Sequence, residues 1–172
     1  MFKIEDIDPN YYRKKTRKST MIIMAIFIAI GFITARIAVI YFGDYSTNHI
    51  VLNLLGAFVG LLITFWIINS FFKNAQWMKE ATYALGLKRQ LMTIFNVMNA
   101  LEHAVAQGDN EAIKILRFYQ LGSEQMYKLD NNEFELIELQ IKKKELETKM
   151  KEKKLDLDQT EFDIKSLDAY RN

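Results

Sequence analysis

Two long apolar runs near the amino terminus constrain this chain more than any other feature. They extend over residues 21–42 and 50–72, and only residues 43–49 separate them. At about 1.5 Å of rise per residue, the runs reach roughly 33 Å and 35 Å as helices, which exceeds the roughly 30 Å of a bilayer's hydrocarbon core. The sequence therefore predicts an all-α membrane protein that begins with a transmembrane hairpin over residues 20–72.

The distribution of charge predicts the orientation of this hairpin. Residues 1–19 are basic, whereas the loop 43–49 contains no Lys or Arg and carries one acidic residue, Asp44. Loops rich in Lys and Arg stay on the cytoplasmic side, so we expect both termini in the cytoplasm and the lipid bilayer as a partner. The residues expected at the membrane surface are Arg13, Lys14, Lys15, Arg17, Lys18 and Trp77. A dedicated lipid-binding patch is the alternative to simple anchoring.

Small and polar residues predict how the two spans pack. Asn53, Gly56, Gly60 and Thr64 share one face of the second helix, and small residues let membrane helices approach closely. We expect this face to pack within the hairpin, with dimerisation of two hairpins as the alternative. Arg36 is costly within a membrane, so its side chain should reach the interface or meet the Asn53 amide or the Asp44 carboxylate.

The remaining residues predict helices on the cytoplasmic side. Over residues 73–130 apolar side chains recur at three- and four-residue steps, which predicts a helical hairpin. Gly108 should end its first helix, which starts near Trp77, and Asp109 should cap the second. Gly122 and Ser123 mark a possible break, and no segment alternates with the period of a strand.

Residues 131–172 predict a charged carboxy-terminal long helix with coiled-coil character. Apolar residues keep a heptad register across this segment. The predicted core positions are Leu136, Leu139, Leu146, Met150, Leu157, Ile164 and Leu167. The partner of this helix is either the preceding helices of the same chain or the same helix of another protomer.

The sequence offers no pattern that indicates catalysis or ligand binding. The chain has no cysteine, and His49 and His103 fall on opposite sides of the predicted membrane. The Zn-protease, P-loop, esterase and dinucleotide-binding motifs do not occur. We therefore predict that the chain is not an enzyme and has no catalytic, metal-binding or cofactor-binding residues and no cofactor. The sequence identifies no small-molecule substrate. Charges of both signs are mixed, which argues against nucleic-acid binding.

Two functions from different classes fit these patterns. The preferred one is a membrane-anchored helical interaction or scaffold protein that associates through its cytoplasmic helices, either with itself or with another membrane or cytoplasmic protein. The alternative is a small transport or channel component that uses Arg36 and the face formed by Asn53, Gly56, Gly60 and Thr64.

One phrase of the sequence also carries a family resemblance. The stretch Ile4-Glu5-Asp6-Ile7-Asp8-Pro9, followed by Tyr12-Arg13, a basic cluster and two close spans, resembles a family of uncharacterised gamma-proteobacterial inner-membrane proteins with two transmembrane helices. The resemblance implies location in a bacterial inner membrane. It implies no activity and no site residues.

Overall fold

The computed structural model describes residues 1–45 and 48–171 of the chain. Ser46 and Thr47 of the predicted loop, and Asn172 at the end of the predicted coiled coil, lie outside the described residues. The elements are α1 (Pro9–Phe42), α2 (His49–Ile67), α3 (Lys79–Phe95), α4 (Met98–Ala106), α5 (Asn110–Asp130) and α6 (Glu133–Glu152), with two short strands, β1 (Phe2–Lys3) and β2 (Glu161–Phe162). The prediction of an all-α chain is confirmed.

Short non-α helices complete the described chain. A π-helical turn, Ile68–Phe72, follows α2, and 3₁₀ turns cover Gln76–Met78 and Ile164–Tyr170. The chain divides into two compact units. We call residues 14–82 the hairpin unit, and residues 1–13 with the described residues from 83 onward the helical unit.

Two helices are long and apolar enough to cross a membrane, Pro9–Phe42 and His49–Phe72, and the apolar runs of both lie in the hairpin unit. The predicted start of α1 is confirmed, because the Asp8 carboxylate accepts a 2.7 Å hydrogen bond from the Tyr11 backbone N–H. Pro9 occupies the first helical position, where its missing N–H costs nothing. Asn48 caps α2 in the same way, through the backbone N–H of Val51.

The helical unit is built around α5, which contacts α4 on one side and α6 on another. Its core side chains come from every part of the unit. The largest that are fully buried include Leu87, Ile94, Leu101, Ile113, Phe118, Leu129, Met150 and Leu167. Phe118 of α5 stacks on Phe162 of β2 with ring centroids 4.9 Å apart. The core therefore depends on the carboxy-terminal segment as well as on the helices.

Three helices of this unit end in the same way. Gly108, Asn131 and Lys154 have φ values of 85°, 57° and 56°, each in the left-handed region. In each case the next backbone N–H bonds to a carbonyl five residues back; Leu155, for example, donates to Met150 at 2.9 Å. This is the Schellman arrangement, which satisfies the last carbonyls of a helix. The predicted roles of Gly108 and of Asp109, which caps α5, are confirmed.

Two predictions about residues 73–130 are wrong in detail. The helix expected to start near Trp77 and run to Gly108 is broken at Asn96 and Val97, so three helices replace the predicted pair. α5 runs without a break through Gly122, which is buried. A Cβ at Gly122 would lie 2.9 Å from Leu91, so this glycine permits close packing instead of ending a helix.

The continuous helix predicted over residues 131–172 is also wrong. α6 ends at Glu152, and residues 153–163 turn back without helix to form β2. A straight continuation would have placed Lys153 and Thr160 at core positions, whereas the turn places Phe162 and Leu167 in the core. Of the predicted heptad positions, Leu157, Ile164 and Leu167 lie beyond α6, so they form no coiled coil with it.

The amino-terminal residues belong to the helical unit. Phe2 and Lys3 pair with Phe162 and Glu161 as antiparallel strands. This two-stranded pairing was not expected from the sequence, because neither strand is long enough to show a two-residue period. The ring of Phe2 stacks on Tyr83, with centroids 5.8 Å apart. Residues 1–19 are therefore not a separate basic segment, since the first thirteen are part of a packed unit.

Candidate interaction sites

The two helices of the hairpin unit meet at a seam of small residues. A Cβ built on Gly56 would lie 2.5 Å from the Cα of Ala35, and one on Gly60 would lie 2.6 Å from the Cα of Gly31. Such distances allow only hydrogen at Gly56 and Gly60, which explains why glycine occupies both positions. The structure thus places both glycines against α1 of the same chain.

Hydroxyl groups along this seam bond within their own helices. Thr64 is buried, and its hydroxyl donates to the Gly60 carbonyl at 2.8 Å. The Thr34 hydroxyl donates to the Ile30 carbonyl at 2.9 Å. Because each hydroxyl has a backbone acceptor in its own helix, the seam carries polar groups without leaving them unsatisfied.

Arg36 and Asn53 do not join this seam. Both side chains are exposed, and neither makes a hydrogen bond or ion pair with another residue in the described part of the chain. The predicted contacts of Arg36 with Asn53 and with Asp44 are therefore not formed. Arg36 instead lies among exposed apolar side chains of α1 at three- and four-residue spacing, namely Phe32, Ile33 and Ile40.

The outer surface of the hairpin unit is apolar. Large hydrophobic side chains on both helices are more than a third exposed, in contrast to the buried glycines of the seam. They include Met24, Ile28, Phe32, Ile40, Leu54, Leu55, Phe58, Leu62, Phe65 and Trp66. This is the reverse of the arrangement in a water-soluble domain, where such side chains face the core.

The predicted membrane-surface residues are divided between the units. Arg13 belongs to the helical unit, where its guanidinium donates to the carbonyls of Lys128 and Leu129, at 3.4 Å each. Lys14, Arg17 and Lys18 are exposed in the hairpin unit, and Lys15 is half-buried. Trp77 is also half-buried and packs on Phe72, with ring centroids 5.6 Å apart. The Ser19 hydroxyl donates a hydrogen bond to the backbone carbonyl of Trp77.

α6 presents apolar side chains on two opposite faces. Leu139, Leu146 and Met150 are buried against the helical unit. Phe134, Ile137 and Ile141 are 77%, 67% and 63% exposed. At 100° per residue these three lie on the side opposite the buried face. We call Phe134, Ile137 and Ile141 the outer stripe.

Sequence reasoning missed the outer stripe, although its spacing of three and four residues is visible. The heptad register that selects Leu139 and Leu146 assigns Ile137 and Ile141 to the solvated flank. Apolar residues such as Ile137 and Ile141 on this flank are the sequence signal that could have indicated a second apolar face of α6. Leu136 of the predicted core is only half-buried in the structure.

Charged residues occur along α6 in two blocks. Glu133, Glu135 and Glu138 lie in the first two turns of α6, and Lys142 and Lys144 follow. Lys142 and Glu138 form an exposed ion pair at 3.2 Å. The hydrogen bond to Glu138 and the charge of that carboxylate raise the pKa of Lys142 above its usual value. The stripe is therefore acidic at one end and basic at the other.

A largely buried ion pair joins α6 to the rest of the helical unit, and no pattern in the sequence indicates it. Arg117 of α5 forms a 2.8 Å ion pair with Glu147 of α6, and its Nε donates to the Leu157 carbonyl at 2.9 Å. Glu124 of α5 binds Lys143 and Lys128. Burial alone would raise the pKa of Glu124, but hydrogen bonds from the two lysines lower it.

A recess of about 470 Å³ lies between α4, α5 and α6. Its rim carries Glu102, Lys142, Glu145 and Lys149, so its charges balance. Gln120 lies in its lining; its Nε2 donates to the Lys142 carbonyl at 3.2 Å, and its buried Oε1 has no partner in the described chain. No group of three or more His, Asp or Glu residues among those described could hold a metal ion.

Comparison with known proteins identifies one family. A family model described as "Protein of unknown function (DUF3087)" matches residues 2–167, nearly the whole chain. A search of curated proteins and a search of solved structures each found no match. The comparisons therefore supply membership and no activity.

Proposed function

Since the chain belongs to the DUF3087 family of proteins of unknown function, we propose its role from its surfaces: it is a membrane-anchored helical interaction protein. The hairpin unit holds it in a bacterial inner membrane with both termini in the cytoplasm. The helical unit lies in the cytoplasm and binds protein through α6.

The observation that carries this proposal is apolar surface that the chain leaves uncovered. In the hairpin unit, side chains such as Phe58 and Phe65 face outward while Gly56 and Gly60 face the neighbouring helix. In water this exposed apolar surface would favour aggregation. In a bilayer the same side chains contact lipid, which makes insertion of the two helices favourable. The basic residues Lys14, Arg17 and Lys18 before the first span support a cytoplasmic amino terminus.

The outer stripe supports the second half of the proposal. Three large apolar side chains exposed on one face of a helix give a surface of the kind that protein partners bury. On the opposite face of the same helix Leu146 and Met150 are covered by the chain itself, whereas nothing in the described chain covers the stripe; α3 also exposes Leu85, Met92 and Phe95. We therefore assign protein binding to α6.

Anchoring is tested with the full chain in bacterial membranes. We expect the chain to stay in the pellet after carbonate extraction, and reporters fused to either terminus to be active only in the cytoplasm. Recovery in the soluble fraction, or reporters on opposite sides, would overturn the anchor.

Binding through α6 is tested with a photoreactive amino acid in place of Ile137. The matched control replaces Lys165, an exposed residue of the 3₁₀ turn Ile164–Tyr170. Irradiation of intact cells should give protein adducts from position 137 and none from position 165. Equal yields would contradict the assignment. Deletion of α6 is a poorer test, because it also removes Leu146 and Met150 from the core.

A further inference from the structure

We propose that the outer stripe of α6 binds the outer stripe of a second copy of this chain, with the two α6 helices antiparallel. This inference rests on the proposed function, since it names the partner of the same surface. The interface is isologous: each copy contributes the same residues, as a two-fold axis requires.

The apolar part of the interface fits this arrangement. The stripe residues recur at three and four positions, which is the spacing at which one helix packs along another. With the crossing point between Glu138 and Leu139, Phe134 and Ile137 of one copy lie against Ile141 of the other. Both copies bury three large side chains that are otherwise exposed.

Charge selects the antiparallel direction. At 100° per residue, Glu133 and Lys144 lie on one flank of the stripe, and Glu138 lies on the other. When the helices run in opposite directions, Glu133 of each copy faces Lys144 of the other, and each Glu138 keeps Lys142 of its own chain as its partner. Parallel helices would instead place Glu133 of each copy beside Glu138 of the other, which is repulsive.

The size of the stripe fits a partner held in the same membrane. Three side chains bury less than the about 800 Å² per partner that a stable complex of free proteins needs. Anchoring raises the local concentration of one copy around another, in the way that a linker does between tethered domains. A small face is therefore sufficient for copies that share a bilayer.

Disulfide crosslinking tests the contact and its direction. The chain contains no cysteine, so single substitutions report on one position. Co-expressed copies carrying Ile137→Cys and Ile141→Cys should form a mixed disulfide dimer on mild oxidation of the membranes. Phe134→Cys alone should form none, because residue 134 of the two copies lies at opposite ends of the contact. Lys165→Cys serves as the exposed control.

The outcomes separate the inference from the proposed function. Self-crosslinking of Phe134→Cys without the mixed product would mean parallel helices and overturn the inference. The inference would also be overturned if no stripe position crosslinked between copies while the chains remained in the membrane. Adducts to another protein, or a lipid-facing environment at residue 137, would then identify what covers the outer stripe. Loss of the chain from the membrane would instead refute the anchor.

Charge reversal provides the second test. Glu133→Lys, or Lys144→Glu, should each lower the crosslinked fraction about tenfold, equivalent to 1.4 kcal/mol. Co-expression of the two variants, which restores opposite charges across the contact, should return the mixed dimer. Unchanged crosslinking in either variant, or no recovery on mixing, would refute the charge complementarity.

Discussion

The guanidinium of Arg117 and the carboxylate of Glu147 lie 2.8 Å apart, with side chains that are only 6% and 26% exposed. The same arginine donates from Nε to the Leu157 carbonyl. One side chain of α5 therefore holds both α6 and the segment that follows it. Because this segment carries Phe162 and Leu167 into the core, the ion pair helps fix the whole carboxy-terminal part of the helical unit.

Glu147→Gln should therefore destabilise the helical unit strongly. The substitution leaves the Arg117 charge buried without its counter-ion, which costs about 3 kcal/mol when one partner of a buried pair is removed. We expect a lower thermal midpoint in detergent and faster proteolysis within residues 153–163. Arg117→Met, which removes the buried charge itself, should cost less than Glu147→Gln.

The matched control for this pair is Glu138→Gln. Glu138 and Lys142 also form an ion pair on α6, but their side chains are 56% and 68% exposed. Exposed pairs contribute 0 to about 1 kcal/mol, so stability should hardly change. Equal losses from Glu138→Gln and Glu147→Gln would contradict the importance of burial.

Gly60→Ala should weaken the packing of α1 and α2. The new methyl group would meet the Gly31 backbone at 2.6 Å, and backbone cannot move away as a side chain can. We expect a loss of about 1–3 kcal/mol, the range for overpacked contacts. Thermal unfolding of the purified chain in detergent measures it.

Gly31→Ala supplies the control within the same contact. A Cβ at Gly31 would meet only the Phe27 ring, at 3.6 Å, which is ordinary van der Waals contact. The variant should match the parent chain in stability. If Gly31→Ala destabilised the hairpin unit as much as Gly60→Ala, the direction of the close approach would be wrong.

Features set by a few neighbouring residues were predictable from the sequence. As expected, α1 starts at Asp8 and Pro9, and α4 is separated from α5 by Gly108 and Asp109. Both features were predictable because helix caps and left-handed turns depend on local chemistry. The length and apolar character of the two long helices follow from composition in the same way.

Features set by tertiary packing were not predictable. Nothing local to Lys154 indicates a helix end, since lysine favours helices and has no preference for a left-handed backbone. The turn forms because it brings Phe162 onto Phe118 and Leu167 into the core. In the same way, the outer stripe could be distinguished from the buried face only once α5 was known to cover Leu139 and Leu146.

Lys154→Gly should raise the stability of the helical unit. Lys154 has φ 56°, where a side chain costs roughly 1–2 kcal/mol that glycine avoids. The greater freedom of glycine in the unfolded chain offsets part of this gain, so we expect a net increase of about 0.5–1 kcal/mol. The control, Lys151→Gly within α6, should lower stability by about 1 kcal/mol. A loss in both variants would argue against the left-handed turn.

Tyr170 should make the docking of the carboxy-terminal turn sensitive to alkaline pH. Its hydroxyl donates to the Asp109 carboxylate at 2.9 Å. Burial, together with this hydrogen bond, raises the pKa of Tyr170 from 10.0 to about 12. The folded chain therefore keeps the proton over a range in which the unfolded chain releases it. Stability from this group is complete below pH 10 and is lost as the pH rises from 10 toward 12.

Asp109→Asn isolates the contribution of the carboxylate. Asparagine still caps α5, so the helix is retained, but the Tyr170 hydroxyl loses its charged acceptor. We expect the pKa of Tyr170 to fall toward 10.0, with less loss of stability in alkali than the parent chain shows. Tyrosinate absorbance during titration, compared with Tyr170→Phe to subtract the other tyrosines, measures the pKa. An unchanged pKa would mean that burial alone causes the shift and that the Asp109 contact contributes nothing to it.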